Sequence, residues 1–220
     1  MSDRAAAIAH ARAALARAQR GAVPFRHWTF ADILPPALCE AVRALPFAPP
    51  AIEDTQGRRE THNSTRIFCD AANQARFAAC AMLAATFQDP SVVATLESLC
   101  DTTLTGGSLR VEYCLDADGF WLEPHTDIGA KLFTLLIYLS ADPGCEDWGT
   151  DLLAADGTLV ARAPALPNSG LIFIPGADTW HGFARRKIAG VRRTLIVNYV
   201  RPEWRSRHEL AFPDQPMRTV

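Results

Sequence analysis

The chain has 220 residues, 49% apolar and 21% charged, which is globular usage rather than the low hydrophobicity and high charge of a disordered polypeptide. At roughly 150 residues per average domain, this length fits one large domain. Twenty-two Lys and Arg against 24 Asp and Glu leave a formal charge of −2, so the basic footprint of a duplex-binding protein is missing and no nucleic-acid partner is expected. Apolar runs all fall short of the roughly 20 residues that cross a bilayer. The opening MSDRAAAIAHARAALARAQRG carries Arg throughout and lacks the apolar core of a secretory signal. A cytoplasmic chain with no membrane partner is expected. Cys39, Cys69, Cys80, Cys100, Cys114 and Cys145 form no CxxC pair, as suits reduced thiols.

Residues 3–19 place Ala, Arg and Leu at helical spacing, with Ser2 or Asp3 as the cap. HWTFADIL, after Pro24, reads as a strand or turn, and PPALCEAVRAL as a helix opened by Pro35 or Pro36. From Pro46 to about Ser64 the text is Pro-rich and then polar, without apolar period. Residues 47–65 are a connector or a lid over a pocket. Residues 73–86 and 90–100 each read as a helix, Pro90 opening the second. Beyond Leu104 the grammar changes. Short runs rich in Val, Ile, Leu, Tyr and Phe (SLRVEYCL, KLFTLLIYLS, GLIFIP, RRTLIVNYV) are punctuated by Gly, Pro, Asp and Asn, with almost no room for crossover helices. An antiparallel barrel or sandwich follows. Helices first and strands second make an α+β chain. Residues 1–104 are expected as helical support and loop, 105–201 as a catalytic β core and 202–220 as a tail.

Three polar residues in the β half stand out: His125 and Asp127 in EPHTDIG, and His181 in ADTWHGF. Side chains two apart on an extended segment face the same way, so His125 and Asp127 can converge while Thr126 turns away. His181 lies far enough downstream for three or four intervening strands to bring the chain back beside them. Two neutral imidazoles and a carboxylate on one side of a cation form the facial triad of non-haem Fe(II) sites. The set favours iron and is compatible with zinc. Along GVRRTLIVNYV, alternation puts Arg192, Thr194, Ile196 and Asn198 on one face and Val191, Arg193, Leu195, Val197 and Tyr199 on the other. Arg192 with Thr194 is the candidate receptor for a carboxylate, the guanidinium giving a bidentate fork and the hydroxyl another donor. Edge charges that protect a sheet from aggregation are the alternative.

The ordered set His125-x-Asp127, His181 and Arg192-x-Thr194, spanning residues 105–201, resembles the Fe(II)- and 2-oxoglutarate-dependent dioxygenases of the double-stranded β-helix, or jelly-roll, fold. FADILPPALCEAVRAL is similar to the strand and helix before the barrel in prolyl-hydroxylase-like members. The resemblance implies a jelly-roll barrel with N-terminal helices packed on one face. It implies iron on His125, Asp127 and His181, and the distal carboxylate of 2-oxoglutarate on Arg192 and Thr194. Some relatives use a Lys there, which makes Lys131 and Arg193 rivals to Arg192; Arg192 is preferred because it shares a face with Thr194. Tyr113 is expected to offer its hydroxyl to the co-substrate, as an aromatic upstream of HxD does in similar enzymes. A carboxylate at 127 fills the position that related halogenases leave for halide, so hydroxylation with dioxygen is implied.

For substrate recognition, Trp121, Glu123, Trp148, Asp151 and Trp180 lie close in sequence to these ligands, and Arg66 ends the polar stretch. A pocket facing Glu123 or Arg66 suits an amino-acid-like or other small-molecule substrate. Two alternatives stay open: a cupin-like metalloenzyme that does not use the oxo acid, and a binding or sensing module of the same fold.

Overall fold

The computed structural model describes residues 3–51, 57–58 and 66–218. In α1 (Asp3–Leu15), Ala7, Ala11, Ala14 and Leu15 fall on one stripe and are buried, small side chains that let the helix lie close to its neighbours. Asp3 is its first residue, and Ser2 lies outside the described residues. The helix ends earlier than its composition predicts. Gln19–Gly21 is a short strand, β1, paired with β2 (His27–Ala31). Pro36 opens α2 (Pro36–Arg43), where its fixed φ and missing N–H cost nothing. A two-residue strand, β3 (Ile67–Phe68), follows.

The single helix expected over 73–86 is two, α3 (Ala71–Arg76) and α4 (Ala78–Phe87). Phe77 separates them in extended conformation (φ −131°, ψ 113°). Its ring packs edge-on against Phe47 at 5.4 Å, with the Arg76 guanidinium 5.1 Å above it. Tertiary packing thus breaks a run whose sequence holds no Gly or Pro to announce the break. Asp70 caps α3 by accepting from Asn73 N, and Asp89 caps α5 (Pro90–Cys100) by accepting from Ser91 N.

The strands β4 (Ser108–Asp116), β5 (Leu122–His125), β6 (Lys131–Tyr138), β7 (Asp151–Leu153), β8 (Leu159–Arg162), β9 (Ser169–Phe173), β10 (His181–Phe183) and β11 (Arg192–Val200) complete two sheets with the first three. The larger runs β1-β2-β9-β6-β11-β4-β3 and the smaller β5-β10-β7-β8. Every ladder is antiparallel. Alternation divides the larger sheet cleanly. Leu109, Val111, Tyr113, Leu115, Phe133, Leu135, Ile137, Leu195, Val197 and Tyr199 join Leu15, Leu83, Phe87 and Val92 of the helices in one core. Each such aliphatic side chain contributes about 1.5–3 kcal/mol on burial. A second core of Phe25, Leu136, Tyr138, Leu152, Leu171 and Phe173 lies between the sheets.

Residues past 201, expected as a tail, run back beside β4. Ala211 N donates to Leu109 O (2.9 Å), Met217 N donates to Gly107 O (2.7 Å), and Leu210 bridges Arg110. The connector-or-lid stretch falls mostly outside the described residues. No described helix is long and apolar enough to cross a membrane.

Candidate metal and anion site

His125 and His181 meet because they are direct partners on antiparallel β5 and β10. Their ring centroids are 4.3 Å apart, and His181 also rests on Phe173 at 4.9 Å. Gly182 lets β10 press against β5 here, since a Cβ at that position would lie 3.0 Å from Leu122 O. Each imidazole is oriented by its backbone. Nδ1 of His125 lies 2.7 Å from Glu123 O and Nδ1 of His181 2.9 Å from Thr179 O. A carbonyl only accepts, so both Nδ1 atoms carry the proton and both Nε2 lone pairs remain available to a cation.

Asp127 lies beyond the end of β5, in the connection to β6. Its Oδ1 is 2.5 Å from Lys131 Nζ, and its Oδ2 accepts from Thr134 Oγ1 at 2.7 Å. Ligand atoms of His125, Asp127 and His181 all lie within 4.8 Å of one another, the one such His/Cys/Asp/Glu group among the described residues. Burial pushes the Asp127 carboxyl upward, but the Lys131 ammonium, His181 and the Lys131 and Thr134 hydrogen bonds outweigh it and hold the pKa at about 2. Burial lowers His181 to about 4, against the opposing pull of Asp127. Near neutrality the group is therefore a carboxylate beside a neutral imidazole, the state a metal needs.

The His181 shift carries a stability consequence. The unfolded imidazole takes up a proton near pH 6.5, whereas the folded one resists until about 4, so stability is full above 6.5 and drains as pH falls through that window. In urea unfolding of metal-free protein, the midpoint is expected to drop between pH 7 and pH 4.5 more steeply in wild type than in His181→Gln. Equal slopes would contradict the shift.

The triad sits at one end of a cavity of about 350 Å³ between the sheets. On its floor, β11 register sets Thr194 beside Tyr138, Ile196 beside Leu136, and Asn198 beside Thr134. Arg192 and Thr194 line the cavity, as do Leu136, Thr150 and Ile196. Arg192 is 4% exposed; its Nε donates to Trp148 O (2.7 Å) and its Nη1 to Asp116 Oδ2 (2.5 Å). The Asp116 carboxylate compensates the buried guanidinium. Thr194 Oγ1 is buried with no hydrogen-bond partner among the described residues, an arrangement that costs about 1–3 kcal/mol unless something else satisfies it. Thr150 was not singled out by the sequence. Its hydroxyl accepts from Tyr138 Oη at 2.9 Å, which leaves its own proton for the cavity.

Arg193 faces away from the cavity, paired with Asp142 at 3.4 Å and about a quarter exposed. Lys131 lines the cavity but is engaged by Asp127. Tyr113 is a correction: it shares the parity of Leu109 and Val111, lies in the helix-side core, and its buried hydroxyl has a pKa pushed up to about 12 by burial. Glu123 lines the cavity and accepts from Arg58 Nε at 3.1 Å. Arg66 lines it too and grips Glu112 through Nε (2.7 Å) and Nη2 (2.9 Å). Trp121 lies in a separate apolar recess, with Arg185 4.7 Å over its ring. Trp148 is buried, donating from Nε1 to Lys187 O. Asp151 is buried in ion pairs with Arg162 and Arg186, and Trp180 lines neither cavity. Sequence reading missed Trp204 and Arg110, which also line the cleft.

Neither a scan against protein-family profiles nor a search of curated proteins found a match. Solved structures do match. A prolyl-4-hydroxylase from Pseudomonas putida aligns with TM-score 0.57 at 15% identity, over 88% of this chain and 98% of that one. A Trichoplax adhaerens prolyl hydroxylase, solved with a peptide fragment of the hypoxia inducible factor oxygen degradation domain, aligns with TM-score 0.57 at 12% identity, over 90% of each chain. HygX from Streptomyces hygroscopicus, solved with nickel and 2-oxoglutarate, aligns with TM-score 0.50 at 13% identity, over 80% of this chain and 81% of that one. This chain has the prolyl-hydroxylase-like fold of the 2-oxoglutarate, Fe(II) oxygenases.

Proposed function

We propose that this chain is an Fe(II)- and 2-oxoglutarate-dependent oxygenase that hydroxylates an unactivated C–H bond of a small-molecule or amino-acid-like substrate, releasing succinate and carbon dioxide. One observation carries the reading: two imidazoles and a carboxylate converge within 4.8 Å at one end of a cleft whose floor leads to a buried guanidinium and an unsatisfied hydroxyl. The two facing sheets are read as the double-stranded β-helix, with the N-terminal helices covering the outer face of the larger.

The donor set fits a ferrous ion with positions to spare. Iron there supplies the redox chemistry that couples dioxygen to breakdown of the oxo acid. The chain supplies the rest. His125 and His181 present Nε2, and Asp127 presents a carboxylate oriented by Thr134 on Oδ2 and Lys131 on Oδ1. Arg192 and Thr194 take the far carboxylate of 2-oxoglutarate, while Leu136 and Ile196 form the apolar floor beneath its methylenes and exclude water. A carboxylate at 127 favours hydroxylation over halogenation.

The test is succinate release by purified protein with Fe(II), 2-oxoglutarate and oxygen, screened over amino acids, peptides and small metabolites. Substrate-dependent succinate is expected. Turnover that persists without 2-oxoglutarate would instead favour a cupin-like metalloenzyme. Thr194→Val gives a finer check, because it removes an unsatisfied hydroxyl and keeps the shape. Its thermal midpoint is expected to hold or rise while the co-substrate Michaelis constant increases about tenfold, the size of one hydrogen bond to a charged group. An unchanged constant would remove Thr194 from the receptor.

A further inference from the structure

Beneath the triad, the sheet holds polar side chains that the proposed chemistry does not touch. Arg110 is 1% exposed and Asn198 0%. Arg110 Nη1 donates to Asn198 Oδ1 (3.1 Å), and Asn198 Nδ2 donates to Thr134 Oγ1 (3.0 Å) and to Phe133 O (3.2 Å). Thr134 Oγ1 in turn donates to Asp127 Oδ2 (2.7 Å). Three residues on adjacent strands β4, β11 and β6 thus form one line, and it ends on the carboxylate of the triad.

Chemistry fixes the direction of every link. A guanidinium has donors and no acceptor, so the oxygen of the Asn198 amide must face Arg110 and its NH₂ must face Thr134. A hydroxyl has a single proton. Because Thr134 receives from Asn198, that proton is committed to Asp127. Arg110 is itself held, by Glu209 Oε2 at 2.6 Å and Glu112 Oε2 at 2.7 Å, with its guanidinium 4.8 Å over Phe68 and 5.4 Å over Trp204. The backbone ladder pairs β11 with β4 from Arg192 to Val200, and with β6 from Thr194 to Tyr199, without these side chains.

We infer that Thr134, aligned by Asn198 and Arg110, is a positioning residue that holds Oδ2 of Asp127 and, with Lys131 on Oδ1, fixes the orientation in which the carboxylate meets the metal. The inference rests on the metal reading of the triad and adds to it a directed polar line through the sheet. Outer partners of this kind change metal affinity without touching the metal.

The test is calorimetric titration of the full chain with Co(II) alone, alongside its visible spectrum and thermal midpoint. Thr134→Val keeps the shape and deletes the donor, and affinity is expected to fall about 10- to 100-fold with an altered Co(II) spectrum. Thr134→Ser restores the hydroxyl and is expected to recover most of that loss. Asn198→Leu should weaken binding alone but add nothing in the Thr134→Val background, because it acts through the same hydroxyl. A loss below about tenfold in Thr134→Val, an equal loss in Thr134→Ser, or additive losses would overturn the inference. Should Asn198→Leu fail to fold, the Val and Ser pair decides alone. Failure of the wild type to bind Co(II) would overturn the metal reading itself, a result separate from wild-type binding with unaffected variants.

Discussion

Asp127→Ala should give a folded protein that retains no ferrous iron and releases no succinate. The carboxylate is the one anionic member of the triad, so its loss removes a third of the ligands and the charge that offsets the cation. The decline should exceed the roughly 10–100-fold seen when an outer partner of a ligand is removed. Folding should survive. Lys131 Nζ, its ion-pair partner, sits on a side chain one-fifth exposed and can reach water, and the freed Thr134 hydroxyl costs about 1–3 kcal/mol against a typical stability of about 5–15 kcal/mol. His125→Ala and His181→Ala should behave alike. Iron content after gel filtration, with circular dichroism as the folding check, decides the matter. A variant that keeps one iron per chain would remove that residue from the ligand set.

Arg192→Ala should raise the co-substrate Michaelis constant about 10- to 100-fold, since charge-assisted hydrogen bonds contribute about 1.5–3 kcal/mol. Arg193→Ala, which removes a partly exposed pair with Asp142 and a bond to a carbonyl on the side of β11 away from the cavity, should change it far less. The first variant carries a second effect. Asp116 is 3% exposed, and taking away the guanidinium at 2.5 Å from it breaks a buried ion pair, which lowers stability. Pairing Arg192→Leu with Asp116→Leu should recover most of the stability and none of the co-substrate binding. That separation distinguishes a receptor from a structural ion pair. A larger effect from Arg193 would reverse the facing of β11, and recovery of binding in the double variant would assign Arg192 a structural role only.

The convergence of His125, Asp127 and His181 was legible because metal chemistry admits few residue types and strand alternation admits few facings. His125 with Asp127, and Arg192 with Thr194, are two-residue steps readable without coordinates. The alternating content of RRTLIVNYV gave the face of Arg192 for the same reason. The facing of Tyr113 follows from the same alternation: Leu109, Val111 and Leu115 share its parity while Arg110, Glu112 and Asp116 share the other, so β4 has an apolar side and a charged one. Other features depend on contacts between distant segments. The break at Phe77 comes from packing on Phe47, and the return of residues past 201 beside β4 comes from backbone pairing. Arg110, Asn198 and Thr134 read singly as a charged, an amide and a hydroxyl residue on three strands, and only the register of β4, β11 and β6 assembles them.

Crystals soaked anaerobically with Fe(II) and measured at the iron absorption edge test the central claim most directly. A single anomalous peak is expected within bonding distance of Nε2 of His125, Nε2 of His181 and a carboxylate oxygen of Asp127. No peak there, or a peak elsewhere in the molecule, would contradict it.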